Sequence, residues 1–329
     1  MKALILFCIL IGVTITTHAQ QDTINKDSAR FVTVTTTNGN TMAGYVISDD
    51  EKELVLQTDQ MGRVAIPKYT IKKISDRSAG NVVNGEYWFE NPNATRYIIG
   101  PSAIPLHKGE GYYQNLYLFV HSASVGITDN ISVGGGTELL TPITRGQAPA
   151  MFFATAKAAF PVADRLHAGG GILYVNYRDK LFGSYNNHIG TVFGLATYGS
   201  RNNNITLGAG WGYQQAGSDN PFSGKQEQNG GISKRPTFTV SAMARPFKWL
   251  SVVTENWVFP YTKHEYFAMN QPPRKINGYE YILSYGVRVM GERVAVDMGF
   301  FNHPEIAKYI FIGIPYIAVV VKFGQKSKK

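Results

Sequence analysis

The chain has 329 residues, enough for more than one domain. It holds one cysteine, Cys8, which excludes a disulfide framework, and beyond its first twenty residues no apolar run reaches the roughly 20 residues of a membrane helix. The formal net charge of +9 comes from basic residues scattered along the chain rather than striped on one element, so with an export signal in front of it nucleic acid is set aside as a partner.

That signal is Lys2, an apolar run from Ala3 to about Ile15, and the small-residue site Thr17-His18-Ala19. The pattern is that of a secretory signal peptide, residues 1–19, cleaved after Ala19. Cys8 lies inside the apolar run and leaves with it. Residues 20–29 read as a polar, flexible leader. If the mature chain enters a membrane, only a closed β-barrel can carry it, because lipid offers no partner to unpaired backbone groups.

Residues 30–78 divide into short β-rich runs, Phe31 to Val34, Met42 to Ile47, Leu54 to Leu56 and Val64 to Ile66. Asn38-Gly39-Asn40, Asp49-Asp50 and Met61-Gly62 mark the turns between them. Five short strands in so few residues predict a small barrel. The spacing of Gly39, Gly44, Asp49, Asp50, Leu54, Leu56, Gly62, Ile66, Pro67, Ile71 and Ile74 resembles the Sm-like and SH3-like small barrels. The Sm-like likeness implies RNA, yet Lys72-Lys73-Ile74-Ser75 stands where that family carries an Arg-Gly pair. A module that docks a periplasmic protein or a glycan is the reading preferred here. A linker, residues 79–94, follows, with Tyr87-Trp88-Phe89 near its end.

From Thr95 the chain alternates apolar with small or polar residues, the two-residue period of strands with one buried face. Strands are expected near 95–106, 112–127, 131–140, 150–160, 166–177, 188–198, 205–213, 237–245, 250–259, 280–290, 294–302 and 316–323. Thr128-Asp129-Asn130, 161–165, 200–204, 246–249 and 291–293 are short connections. Residues 141–149, 178–187, 215–236, 260–278 and 303–315 are long ones. Short turns at one end and long loops at the other are the pattern of an outer-membrane barrel with periplasmic turns. The expected fold is therefore all-β: about twelve antiparallel transmembrane strands over residues 95–324, after a small periplasmic SH3-like barrel, and with a basic tail at 325–329.

Three segments carry a further likeness: Asn93 to Tyr97, Gly109 to Asn115 and Gly126 to Asn130. They resemble uncharacterised outer-membrane β-barrel proteins of the Bacteroidota. The resemblance implies location and fold, with outer-membrane lipid as a partner, and no activity. Phe323 fits the terminal aromatic of a barrel insertion signal, although six residues follow it.

Applying the strand period sorts the two faces. Phe152, Ala154, Ala156 and Phe160, Ile205, Leu207, Ala209 and Trp211, and Phe238, Val240 and Ala242 point to lipid. So do Val294, Val296, Met298 and Phe300, and Ile317, Val319, Val321 and Phe323. The opposite face carries Glu138, Lys157, Arg245, Glu255, Arg288, Asp297 and Lys322. On a lipid face each charge would cost roughly 2–4 kcal/mol near the midplane, so these seven are expected to line the lumen. Enclosed charges must pair. Two readings follow: a salt-bridge network that braces the barrel, or a narrow polar channel.

A lipid-modifying enzyme of acyl hydrolase type is the alternative from another class, suggested by His121-Ser122-Ala123-Ser124. Parity opposes it, because residues on one face are two apart and Ser122 and Ser124 face away from His121. His107, His188, His264 and His303 show no metal-ligand spacing, so neither metal nor cofactor is expected. The 260–278 loop carries Tyr261, His264, Tyr266 and Arg274, a mixture suited to glycan or partner binding. The sequence thus predicts a non-enzymatic barrel, structural or porin-like.

Overall fold

The computed structural model describes residues 30–76, 82–83, 86–179, 185–219, 226–265 and 274–324. The expected signal peptide, leader and basic tail lie outside them. The chain divides into two compact units, Met1–Trp88 and Phe89–Lys329.

In the first unit β1 (Phe31–Thr36), β2 (Thr41–Asp49), β3 (Glu53–Thr58), β4 (Gly62–Pro67) and β5 (Ile71–Asp76) form an antiparallel sheet in the order β4-β3-β2-β1-β5. Strand alternation buries Val32, Val34, Leu54, Leu56 and Ile66 together. The turn expected at Asp49-Asp50 is held by the Asp50 carboxylate, which accepts from the Lys52 and Glu53 amides at 2.8 Å each. Those two bonds hold the Asp50 carboxyl below its ordinary pKa. A two-stranded ribbon, β6 (Val82–Val83) and β7 (Glu86–Tyr87), follows.

The second unit is a closed up-and-down barrel. Its strands are β8 (Gly111–Leu116), β9 (Val120–Gly126), β10 (Ile131–Glu138), β11 (Met151–Ala163), β12 (Leu166–Asp179), β13 (Tyr185–Gly199) and β14 (Asn204–Asp219). After β15 (Gln226–Ile232) come β16 (Thr237–Phe247), β17 (Leu250–Glu265), β18 (Arg274–Met290), β19 (Val294–Asn302) and β20 (Ile314–Phe323). Each strand pairs antiparallel with its neighbour, and the β20–β8 pairing closes the ring, from Ala318 opposite Leu116 to Phe323 opposite Gly111. β15 only extends the far end of β14, whose near half pairs with β16, so twelve strands make the wall.

The expected number of strands is therefore found, but one member of the expected set is not a strand. Residues 95–106 fold into the lumen. The twelfth strand comes instead from the stretch 112–127, which turns back on itself at Tyr117-Leu118-Phe119 and supplies both β8 and β9. Tyr117 and Leu118 adopt φ of 50° and 66° there. Large residues carry that turn, which is why no Gly or Asn announces it.

Three expected loops also shrink. β12 and β13 reach Asp179 and Tyr185, β14 and β15 occupy most of 215–236, and β17 pairs with β18 from Pro260 opposite Tyr279 to Glu265 opposite Arg274. The sequence of these strand ends lacks apolar alternation, so the pattern stops before the hydrogen-bond ladder does. Wall height consequently differs around the ring. β8, β9 and β10 have 6, 7 and 8 residues, against 16 and 17 in β17 and β18.

Both chain ends of the barrel, Gly111 and Phe323, lie at the end that carries the Asp129-Asn130 turn. Outside, the expected apolar face is present: Phe152, Phe160, Ile205, Leu207, Trp211, Phe238, Val240, Val294, Met298 and Ile317 are all exposed.

Candidate functional site

The lumen holds residues 89–110, and this plug is the feature the sequence reading lacks. Asn91, Asn93, Thr95, Arg96, Tyr97, Ile98, Ser102, Ala103, Ile104 and Leu106 are all buried. Irregular backbone in an enclosed space must find partners for its own N–H and C=O groups. The Tyr97 amide bonds the Gly100 carbonyl and the Ser102 amide the Thr95 carbonyl, both at 2.9 Å, which makes a tight turn at the plug's tip. Several of the other backbone groups are met by charged wall residues.

Glu255, fully buried, is the first of these. Its carboxylate accepts from the Ile98, Ile99 and Gly100 amides at 2.8 Å each and from Trp257 Nε1 at 2.7 Å. Consecutive amides converging on one anion form a nest, here built by the plug around a wall residue. Arg288 works in the opposite sense. It donates to the carbonyls of Asn93 (2.6 Å) and Tyr97 (2.7 Å), and to Asp297 at 2.6 and 2.9 Å. Arg96 of the plug reaches the same Asp297 at 3.3 Å. Lys157 Nζ donates to the Ser102 and Ile104 carbonyls at 2.9 Å each.

Towards the end where the chain enters, Arg245 donates to the Phe89 carbonyl at 2.8 Å and lies over the Phe89 ring. Lys322 sits between Glu90 (3.0 Å) and Glu110 (3.3 Å), and Arg201 adds a 2.5 Å bond to Glu110. Gly126 brings β9 against this exit: a Cβ there would lie 2.2 Å from the His107 carbonyl oxygen. Neutral residues complete the anchoring. Tyr97 Oη bonds Asn204 Oδ1 at 2.6 Å, Tyr316 Oη the Ile98 carbonyl at 2.7 Å, and Thr197 Oγ1 the Ala103 amide at 2.7 Å.

All seven charged residues named from the sequence therefore lie on the inward face, but their partners differ from the expected ones. Arg288 with Asp297 is the one pair they form among themselves in the described residues. Glu138 stands apart at the far rim, where it accepts from the Thr141 amide at 2.9 Å and from the Ala150 amide, fastening the loop that carries α1 (Leu140–Arg145). The plug residues Asn93, Arg96 and Tyr97 were missed. Their signal is Pro101 and Pro105 inside a nominal strand, since proline removes a ladder donor.

His121 points outward. It contacts Tyr113 Oη, Asn115 Nδ2 at 3.3 Å and the Leu118 carbonyl at 3.0 Å, while Ser122 and Ser124 face the lumen. His188 repeats the arrangement with Tyr174 at 2.6 Å and Asn176 at 3.1 Å. Of the loop residues suggested for binding, Tyr261 lies in β17, its carbonyl accepting from Arg235 at 2.6 Å, and Arg274 opens β18. The side chains of His264 and Tyr266 lie outside the described residues.

Beyond the plug, towards the far rim, the lumen opens into a cavity of about 480 Å³. Its floor is Ile99, Gly100 and Pro101.

No protein-family model matches the chain, and no curated protein matches it. Among solved structures it is similar to Salmonella typhi OmpF, in a complex with daunomycin, with a TM-score of 0.30 and 9% identity over 90% of this chain and 95% of that one. At that level nothing is carried from OmpF to this chain.

Proposed function

We propose that this is a non-enzymatic outer-membrane β-barrel protein whose lumen is closed by its own residues 89–110, a structural element of the envelope rather than an open channel. The outward apolar face supports the membrane, since soluble monomers rarely expose so continuous a patch. Short turns at the end holding both barrel termini support a periplasmic entry point. The N-terminal unit then belongs to the periplasm, as an SH3-like module docking a periplasmic protein or glycan.

One observation carries the closed reading: Glu255, Arg288 and Lys157, which an open polar channel would present to water, are bound to plug backbone. His121, turned to Tyr113 and Asn115 and away from Ser122 and Ser124, supports the absence of hydrolase chemistry. Fractionation and gel migration test the placement. The protein is expected in the outer-membrane fraction, migrating faster unheated than boiled. A soluble protein with no such shift overturns the reading.

A further inference from the structure

The cavity beyond the plug has walls unlike its floor support. Leu116, Val120, Phe153, Leu173, Val175 and Leu195 are among its apolar lining, with hydroxyls such as Ser124 and Thr239 between them. Among the described residues Arg96 is the one charged residue in that lining, and it is engaged by Asp297 and the Ile98 carbonyl. At about 480 Å³ the space falls within the ~300–1,000 Å³ of sites that enclose a drug-sized ligand. Filled with water it would hold on the order of 16 molecules at ~30 Å³ each, against walls whose surface is mainly apolar.

The rim beside it is equally uneven. At ~3.3 Å per residue and a tilt near 40°, the six residues of β8 rise only about 15 Å, well short of a ~25 Å apolar band. What tops this low wall is apolar. Leu118 is 75% exposed in the β8–β9 turn, Ile143 71% on α1, and Phe311 87% in the β19–β20 loop. The Leu139 amide bonds the Phe119 carbonyl at 2.8 Å, which joins the β8–β9 turn to the segment before α1, and the Tyr117 amide continues the β8–β20 ladder to the Ile317 carbonyl at 3.2 Å. An apolar rim above a wall too short for the bilayer places hydrocarbon beside the cavity mouth, where Leu116 and Val120 belong to both.

We propose that the cavity binds a single acyl chain, which reaches it from the membrane over the low β8–β10 wall. The plug closes the other end, so the chain lies with its apolar tail against Phe153, Leu195 and Trp257 and stops at Pro101. The shared chemistry is a fatty acyl tail, from either a free fatty acid or a membrane lipid. The proposal rests on the outer-membrane reading, and the test separates the two.

Trp257 lines the cavity, whereas Trp211 faces outward. Two proteins, each retaining one of these tryptophans with phenylalanine at the other tryptophan positions, are placed in phosphatidylcholine nanodiscs. Bromine on an acyl chain quenches tryptophan at short range. Discs of dibrominated phosphatidylcholine are expected to quench Trp211, which reports insertion; no quenching there fails the membrane reading instead. Quenching of Trp257 in those discs identifies a lipid tail, and saturable quenching by dibromostearate added to unbrominated discs identifies a free fatty acid. Thr239→Phe and Ser124→Phe, each filling the cavity, are expected to weaken Trp257 quenching by about ten-fold or more while Trp211 stays quenched. Trp257 untouched by both probes in an inserted protein, or quenched equally in both filled variants, overturns the proposal.

Discussion

Gly100 and Glu255 approach so closely that a side chain at Gly100 would have to displace the carboxylate. The Gly100 amide donates to Glu255 Oε1 at 2.8 Å, and a Cβ on Gly100 would stand 2.9 Å from that oxygen and 3.1 Å from the Trp257 ring. The wall and the plug are thus fitted to each other at one carboxylate.

Gly100→Ala is expected to cost about 1–3 kcal/mol through overpacking. Glu255→Ala leaves the buried Ile98 and Gly100 amides without an acceptor, at about 1–3 kcal/mol for each unsatisfied group, and is expected to cost more. The temperature at which the folded gel band is lost should fall for both, further for Glu255→Ala. Equal or absent shifts would contradict the nest.

Arg288 and Asp297 stand opposite each other on β18 and β19 and are both buried. Arg288→Ala leaves Asp297 with Arg96 alone and strips the Asn93 and Tyr97 carbonyls, a loss expected at about 3–5 kcal/mol. Asp297→Ala should cost a similar amount. The double replacement should cost less than the sum of the two, because the Arg288–Asp297 contact is lost in each single replacement and is counted once in the double, even though Arg96 is then left without its carboxylate. Strict additivity in a double-mutant cycle would show that the pair does not act as one.

Glu90, beside Lys322 at the entry, gives the pH dependence. Burial acts to raise its carboxyl pKa, and Lys322 together with Arg201 more than reverses this, so it lies below the ordinary value of 4.5. A carboxyl depressed in the folded state adds stability above its unfolded pKa and loses it as pH falls through the folded one. The advantage of the wild type over Glu90→Gln should therefore be constant above about pH 5.5 and fade below 4.5. An advantage that grows on acidification would reverse the sign and refute the pairing.

His121→Ala is expected to leave the barrel folded, with a loss of about 1 kcal/mol for an outward hydrogen bond. Phospholipid turnover should be absent before and after the change. Turnover by the wild type that His121→Ala abolishes would restore the hydrolase alternative.

The faces of the strands were legible because a two-residue period needs only residue types: Phe152 and Leu207 outward, Lys157 and Asp297 inward. The Asp129-Asn130 turn was legible for the same reason, through its small polar residues. The plug was not, because what binds Glu255, Arg288 and Lys157 is backbone, and a backbone amide or carbonyl leaves no mark in the sequence. The enclosed charges did signal that something must meet them, yet they gave no means of telling a facing strand from an inserted segment. The turn at Tyr117-Leu118 was hidden by its bulk, and the polar ends of β14 and β17 by their lack of apolar alternation.

Closure of the lumen by residues 89–110 is tested most directly by single-channel recording of the purified protein in a planar bilayer. The wild type should insert without steady current, and the Glu255→Ala, Arg288→Ala double variant, with the plug loosened at both anchors, should show frequent openings. Steady conductance by the wild type would contradict the account.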